Sequence, residues 1–219
     1  PKAKKGTATG LNAGIGNLGV SLAQFVVPLV ISSAMVGSFT GEGLHYVEKG
    51  VEKTLWLQNA GFVWVPFIVI SVILAWFGMN DIADAKASFK DQAIIFRRKH
   101  NWLMCWLYVG TFGSFIGFSA GLALLTKSQF PDVNPTQYAF LGPLVGALTR
   151  PVGGWISDRL KASTTVTLYT FLLMVLALVG VLFALPSEGH AGNFPAFLGM
   201  FILLFALTGI GNGSTFRMI

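Results

Sequence analysis

Long apolar runs separated by short polar stretches dominate this chain. Leu11–Val36, Trp56–Gly78, Trp102–Leu125, Tyr138–Ile156, Thr164–Leu185 and Phe194–Arg217 are each largely apolar, and about 20 such residues form a helix long enough to cross a bilayer. The pattern predicts six transmembrane helices and an all-α membrane protein.

Composition agrees. Of 219 residues, 53% are hydrophobic and 11% charged, with a mean hydropathy of +0.67, whereas soluble domains carry about 25% charged residues. The net charge of +6 is not gathered in a basic patch with interleaved aromatics, which argues against nucleic acid. The basic residues lie between apolar runs and alternate in density. Lys2, Lys4 and Lys5 precede the first run. Lys49 and Lys53 share the next loop with Glu42, Glu48 and Glu52, and Lys86, Lys90, Arg97, Arg98 and Lys99 crowd the third. Lys127 and Asp132, then Asp158, Arg159 and Lys161, then Glu188 follow in turn. Basic loops stay in the cytoplasm, so both ends of the chain are expected there, in a multi-pass membrane protein. The single cysteine, Cys105, lies in an apolar run and has no intrachain partner for a disulfide.

Pro1 stands where a methionine would start a chain, and Ile219 ends within an apolar run; the chain is expected to be an internal fragment of a longer protein. Residues 79–101 form the longest polar connection. They are the expected boundary between a helical half ending with 1–78 and another beginning at 102–219. Within them, Ala83–Lys99 fits either an amphipathic helix at the membrane surface, with Phe89, Ile94, Ile95 and Phe96 dipping inward, or an ordinary basic linker.

The first run carries Gly10, Gly14, Asn17, Ser21, Gln24 and Pro28 at spacings of 4, 3, 4, 3 and 4, which keeps them on one helix face. Asn17 and Gln24 are costly in lipid, so the face points into protein. It is either a packing seam of small residues or part of a substrate path. Gly14-Ile15-Gly16-Asn17-Leu18-Gly19 matches the dinucleotide fingerprint, but that loop needs a preceding strand, and here it falls inside a spanning helix. The sequon Asn212-Gly213-Ser214 likewise falls within an apolar run. Gly209-Ile210-Gly211-Asn212 echoes Gly14-Ile15-Gly16-Asn17, too briefly to establish a repeat. The third run pairs Tyr108 with Phe112 one turn apart, as packing or as ligand contact, and a dry tyrosine hydroxyl needs a partner.

Arg150 is the sharpest feature. It lies inside an otherwise uncharged stretch, and no acidic residue occurs within any of the apolar runs. An arginine near mid-membrane costs roughly 2.5–3.5 kcal/mol on insertion scales and marks an ion pathway. Gly142, Gly146, Arg150, Gly153 and Ser157 share one face, and Pro151 removes a backbone donor beside the arginine. Asp158 and Arg159 mark the membrane edge eight residues on, roughly 12 Å along a helix. That is too far for easy snorkelling, so Arg150 is expected to be buried with a mobile anion as its partner. Arg217 falls near the cytoplasmic face, where snorkelling explains it.

Gly153-Gly154-Trp155-Ile156-Ser157-Asp158-Arg159-Leu160 resembles the cytoplasmic-loop motif of the major facilitator superfamily, at its second occurrence between helices eight and nine. That placement makes the chain helices five to ten of an expected twelve. Gly14–Ser21 with Gln24 and Pro28 resembles the first nitrate signature of the nitrate/nitrite porter family. Thr111–Ser119 and Gly209–Ile219 resemble that family's seventh and tenth helices. The resemblance implies transport of nitrate and nitrite across a bacterial inner membrane, in nitrate assimilation or exchange. It implies that Arg150 is one of two substrate-binding arginines and that Tyr108 contacts substrate. Phe112 is then one wall of an aromatic sandwich, with Asn17, Gly14, Gly16 and Ser21 along the path. Gly154, Asp158 and Arg159 form the gating motif; Leu160–Thr164 depart from its usual continuation. The second arginine and the second nitrate signature belong to helices outside this chain.

The chemistry suits that substrate. Nitrate is planar and singly charged, and a guanidinium offers a planar fork that meets two oxygens at once. Aromatic walls exclude water and strengthen the attraction. The partners that the resemblance implies are nitrate and nitrite, the lipid bilayer and the remaining helices of the same protein. No nucleophile–base pair or metal-ligand cluster lies in a membrane run, so neither an enzyme nor a cofactor or metal is expected. Arginine does not release its proton, and the chain supplies no evident proton carrier, which favours nitrate/nitrite exchange. Alternatives are a proton-coupled nitrate importer, whose titrating group would lie in the absent helices, and a non-transporting anion sensor.

Overall fold

The computed structural model describes residues 4–34, 41–48, 50–80 and 88–218. They form two compact units, 1–23 with 98–219 and 24–97. Helices dominate both. Lys5–Ile31 (α1), Asn59–Phe62 (α2), Val65–Gly78 (α3), Phe89–Gln92 (α4), Lys99–Tyr108 (α5), Ser114–Gln129 (α6), Leu141–Leu160 (α7), Ser163–Ala184 (α8) and Phe194–Met218 (α9) follow in order. A π-turn, Val109–Gly113, joins α5 to α6 as one long segment.

Among the described residues, five segments are long and apolar enough to cross a membrane: α1, α2 with α3, α5 through α6, α8 and α9. The sixth expected span is α7. It is less apolar because its sequence includes Arg150, Asp158, Arg159 and a row of glycines. Its buried face, with Gly142, Gly146, Arg150, Gly153 and Ser157, meets protein rather than lipid, so the helix does not need an apolar surface all round.

In the larger unit, the core lies between α6, α8 and α9. Phe115, Leu122, Met174, Phe197, Phe201 and Phe205 are buried there, with Phe118 edge-on to Phe201 and Phe205 at 6.0 and 6.1 Å. Beside this core, α7 is gripped by backbone-to-backbone contacts. A Cβ on Gly10 or Gly14 of α1 would lie 2.8 Å from the carbonyl oxygen of Arg150 or Ala147. On α9, Gly213 abuts the Arg150 carbonyl in the same way, and Gly153 of α7 abuts Ile210. Gly10 and Gly14 of α1 thus pack closely on the backbone of α7.

The smaller unit holds the end of α1. Asn59, fully buried, donates to the carbonyls of Val30 and Ser33 at 3.2 and 3.4 Å, and the Trp56 amide donates to Ile31 at 2.8 Å. These bonds satisfy carbonyls that the helix end leaves open. A departure from an all-α chain is the hairpin β1 (Leu44–Glu48) and β2 (Val51–Leu55). Its pairing of Glu48 with Val51 leaves a two-residue turn, and Gly50 takes the positive φ, 79°, that such turns need. Charged residues scattered through 42–53 hid this strand pattern from sequence reading. Of the segment Ala83–Lys99, residues 83–87 lie outside the described residues; α4 and a 3₁₀ stretch, Ala93–Arg97, follow. Val36, the expected end of the first run, also lies outside them.

Candidate functional site

Arg150 occupies the middle of α7 and is completely buried, at 0% exposure. Its position follows from the glycines around it, which let α1 and α9 close on both sides. Nη1 donates to the carbonyl oxygen of Ala13 at 3.3 Å. Nε and Nη2 are buried with no hydrogen-bond partner. Among the described residues Arg150 has no ion pair, and its guanidinium carbon sits 4.8 Å over the Phe115 ring and 5.3 Å over Phe112. Aromatic faces offset part of the cost of a buried cation, but unfilled donors cost roughly 1–3 kcal/mol each. A planar anion accepting from the open edge of the fork would remove that cost.

The aromatic wall is a ladder. Tyr108 stacks on Phe112 at 5.0 Å and 25°, and Phe112 on Phe115 at 6.1 Å and 12°. The π-turn between Tyr108 and Ser114 adds one residue to the helical register, a device that often marks functional sites. Phe216 of α9 meets Tyr108 edge-on at 5.8 Å. An apolar groove lined by Trp106, Leu107, Val109, Gly110, Leu168 and Phe171 contains none of these site residues.

Asn17 is half-buried and donates Nδ2 to Ala13 at 2.7 Å, so one carbonyl receives both Asn17 and Arg150. Gly14 is buried against Ala147 and Pro151. Ser21 is buried, and its hydroxyl donates to the Phe140 carbonyl at 2.9 Å. Gly16 is exposed with nothing within 4 Å of a Cβ there; the structure does not bring it to Arg150.

At the far end of α7, Gly154 packs on the backbone of Gly6. Asp158 accepts from the amides of Gly6 and Thr7 at 3.0 and 2.7 Å, from the Thr7 hydroxyl at 2.8 Å, and from Arg217 Nε at 2.8 Å. The first turn of α1 has no acidic residue of its own, and Asp158 fills that role from another helix, where amide donors and the helix dipole favour a carboxylate. Asp158 lies beyond the expected membrane segment. Burial pushes its carboxyl pKa up, but the bonds from Thr7, Gly6 and Arg217 outweigh this and hold it below the usual carboxylate value. Arg217 also donates Nη1 to the Ser163 hydroxyl at 3.2 Å, so a specific ion pair replaces the expected snorkelling. Arg159 is exposed, with its guanidinium 5.5 Å over Trp155.

Sequence reading assigned no role at the site to five participants. Phe115 follows Phe112 by three residues, a spacing that shares a helix face, and that signal was available. Gly6 and Thr7 lay outside the first apolar run. Arg217 needed the meeting of α7 and α9. Asn212 was visible only in a sequon placed within an apolar run and in a brief echo of the first-run glycines.

No family model matches the chain. Its whole length aligns with the nitrate/nitrite transporter NarU of Escherichia coli at 49% identity over 219 residues, covering 46% of that protein. NarU of Salmonella typhimurium aligns at 49%, also with 46% covered. A probable nitrate/nitrite antiporter, NarK2 of Thermus thermophilus, aligns at 43% over 226 residues, with 50% covered. The chain spans about half the length of these curated relatives. Over its whole length the chain is thus similar to about half of each of these bacterial nitrate/nitrite transporters.

Proposed function

We propose that this chain is the central part of a membrane carrier, not an enzyme, that moves nitrate and nitrite by alternating access. The observation that carries the reading is the Arg150 guanidinium, buried over two aromatic rings with Nε and Nη2 unfilled and no ion pair among the described residues. Names of relatives that specify nitrate and nitrite supply the substrate class. Arg150 binds the anion through its fork. Phe112 and Phe115 keep the site dry, Tyr108 lies beyond Phe112 in the same stack, and Asn17 holds the Ala13 carbonyl that orients Nη1.

In this reading the protein sits in a bacterial inner membrane with both ends of the chain cytoplasmic, and residues 79–101 link two helical halves. Helices outside the chain complete the path and supply a second arginine. Asp158 then lies at the cytoplasmic end, where its bonds to α1 and Arg217 clasp the helices in one of the two access states. An unliganded arginine pair resists passage through the closed carrier, whereas an anion neutralises it. That logic gives exchange of nitrate for nitrite, since each reorientation needs a bound anion.

The test uses the full-length protein in vesicles. Exchange predicts nitrate uptake only into nitrite- or nitrate-loaded vesicles, indifferent to an imposed proton gradient. Uptake into empty vesicles driven by protons would replace exchange with proton-coupled import. Saturable binding without flux under either condition would indicate an anion sensor.

A further inference from the structure

Asn212 ends the Gly209-Ile210-Gly211-Asn212 stretch that echoes Gly14-Ile15-Gly16-Asn17, and anion binding by Arg150 gives it no task. It is fully buried on α9. Its Nδ2 donates to the Thr111 hydroxyl at 3.4 Å, while its Oδ1 is buried without a partner. A leucine of similar size would fill this place without stranding an amide oxygen, so asparagine is not the residue that stability alone would select.

Its partner explains the choice. Thr111 is also fully buried and lies in the π-turn Val109–Gly113. The Thr111 hydroxyl sends its hydrogen back to the Leu107 carbonyl at 3.0 Å, with the Tyr108 carbonyl at 3.4 Å. That leaves its oxygen able to accept from Asn212. One turn of α9 is pressed close at the same point: a Cβ on Gly211 would lie 3.0 Å from Thr111 Cγ2. Phe112 is the next residue, and it stacks on Tyr108 on one side and lies beneath Arg150.

We infer that Asn212 is a positioning residue: through Thr111 it pins the π-turn to α9, and so fixes the Tyr108–Phe112 wall against Arg150. Its effect on transport rests on the anion-site reading above, but its effect on geometry does not. The experiment therefore reads both in the full-length protein. With 4-cyanophenylalanine at position 112, the nitrile stretch reports the field of the neighbouring guanidinium. Asn212→Leu and Thr111→Val should shift that frequency alike, the double variant should shift it no further, and Thr111→Ser should keep the parental value.

In nitrate uptake with the unlabelled proteins, each single variant should raise the half-saturating nitrate concentration roughly 2- to 12-fold, the range one hydrogen bond spans. The maximal rate per monodisperse protein should change less, and the double variant should match the worse single one. Thr111→Val breaks the same bond from the other side, so misfolding of one variant does not leave the matter open. An unmoved nitrile frequency, strictly additive shifts, or lost rate at unchanged half-saturation overturns the inference. A parent protein that takes up no nitrate removes the transport reading, and the nitrile frequencies alone then decide for or against Asn212.

Discussion

Asp158 lies two turns beyond Arg150 on the same helix, yet its carboxylate is bound to Arg217 at 2.8 Å and not to Arg150. The acid's remaining capacity goes to the first turn of α1. This division of labour leaves one arginine locked in a structural pair and the other open to a mobile partner.

The clasp has a pH signature. Because the folded Asp158 carboxyl is held below its ordinary value, its stabilising effect is complete at neutral pH. It is lost as pH falls through the lowered folded value. Asp158→Ala should lower stability at neutral pH by about 1 kcal/mol, the usual cost of a lost helix cap. The gap between parent and variant should close in acid. Thermal unfolding of the full-length protein across that pH range checks it; a gap that widens in acid contradicts the assignment.

Gly14 and Gly16, two residues apart on α1, should behave oppositely. A Cβ on Gly14 meets the Ala147 carbonyl at 2.8 Å, while one on Gly16 meets nothing within 4 Å. Gly14→Ala should destabilise by about 1–3 kcal/mol through overpacking. Gly16→Ala should be neutral or stabilising by up to about 1 kcal/mol, since alanine is the better helix former. Melting temperatures of the two variants decide between them. If Gly16→Ala left stability intact but abolished transport, Gly16 would touch the substrate path through residues outside this chain.

Phe115 serves both packing and site. It is fully buried, meets Phe205 edge-on at 5.8 Å and underlies Arg150. Phe115→Ala should cost about 3–5 kcal/mol, visible as a large fall in the yield of monodisperse protein. Phe115→Leu should recover most of that yield while weakening anion affinity, because leucine fills space without a π-face.

Much of this was legible in the chain because membranes impose simple rules. Six apolar runs gave six helical segments, and a charge in an apolar run at Arg150 had to face inward. The face Gly142, Gly146, Arg150, Gly153 and Ser157 is buried throughout. Less legible were features that arise only when helices meet. The first helix starts at Lys5, ahead of the apolar run, and its first turn is capped by Asp158, which no local pattern reveals. The π-turn has no reliable local signature, and it decides how Tyr108, Phe112 and Phe115 align. The hairpin after α1 was obscured because its residues alternate weakly and carry charges on both strands.

The most direct measurement is nitrate affinity of the purified full-length protein carrying Arg150→Lys. Lysine keeps the positive charge and loses the planar fork, and a charged hydrogen bond is worth roughly 1.5–3 kcal/mol. Binding should therefore weaken by about 10- to 150-fold, with a melting temperature near that of the parent. Parental affinity in Arg150→Lys would contradict the account, because the anion would then be held by something other than the buried guanidinium.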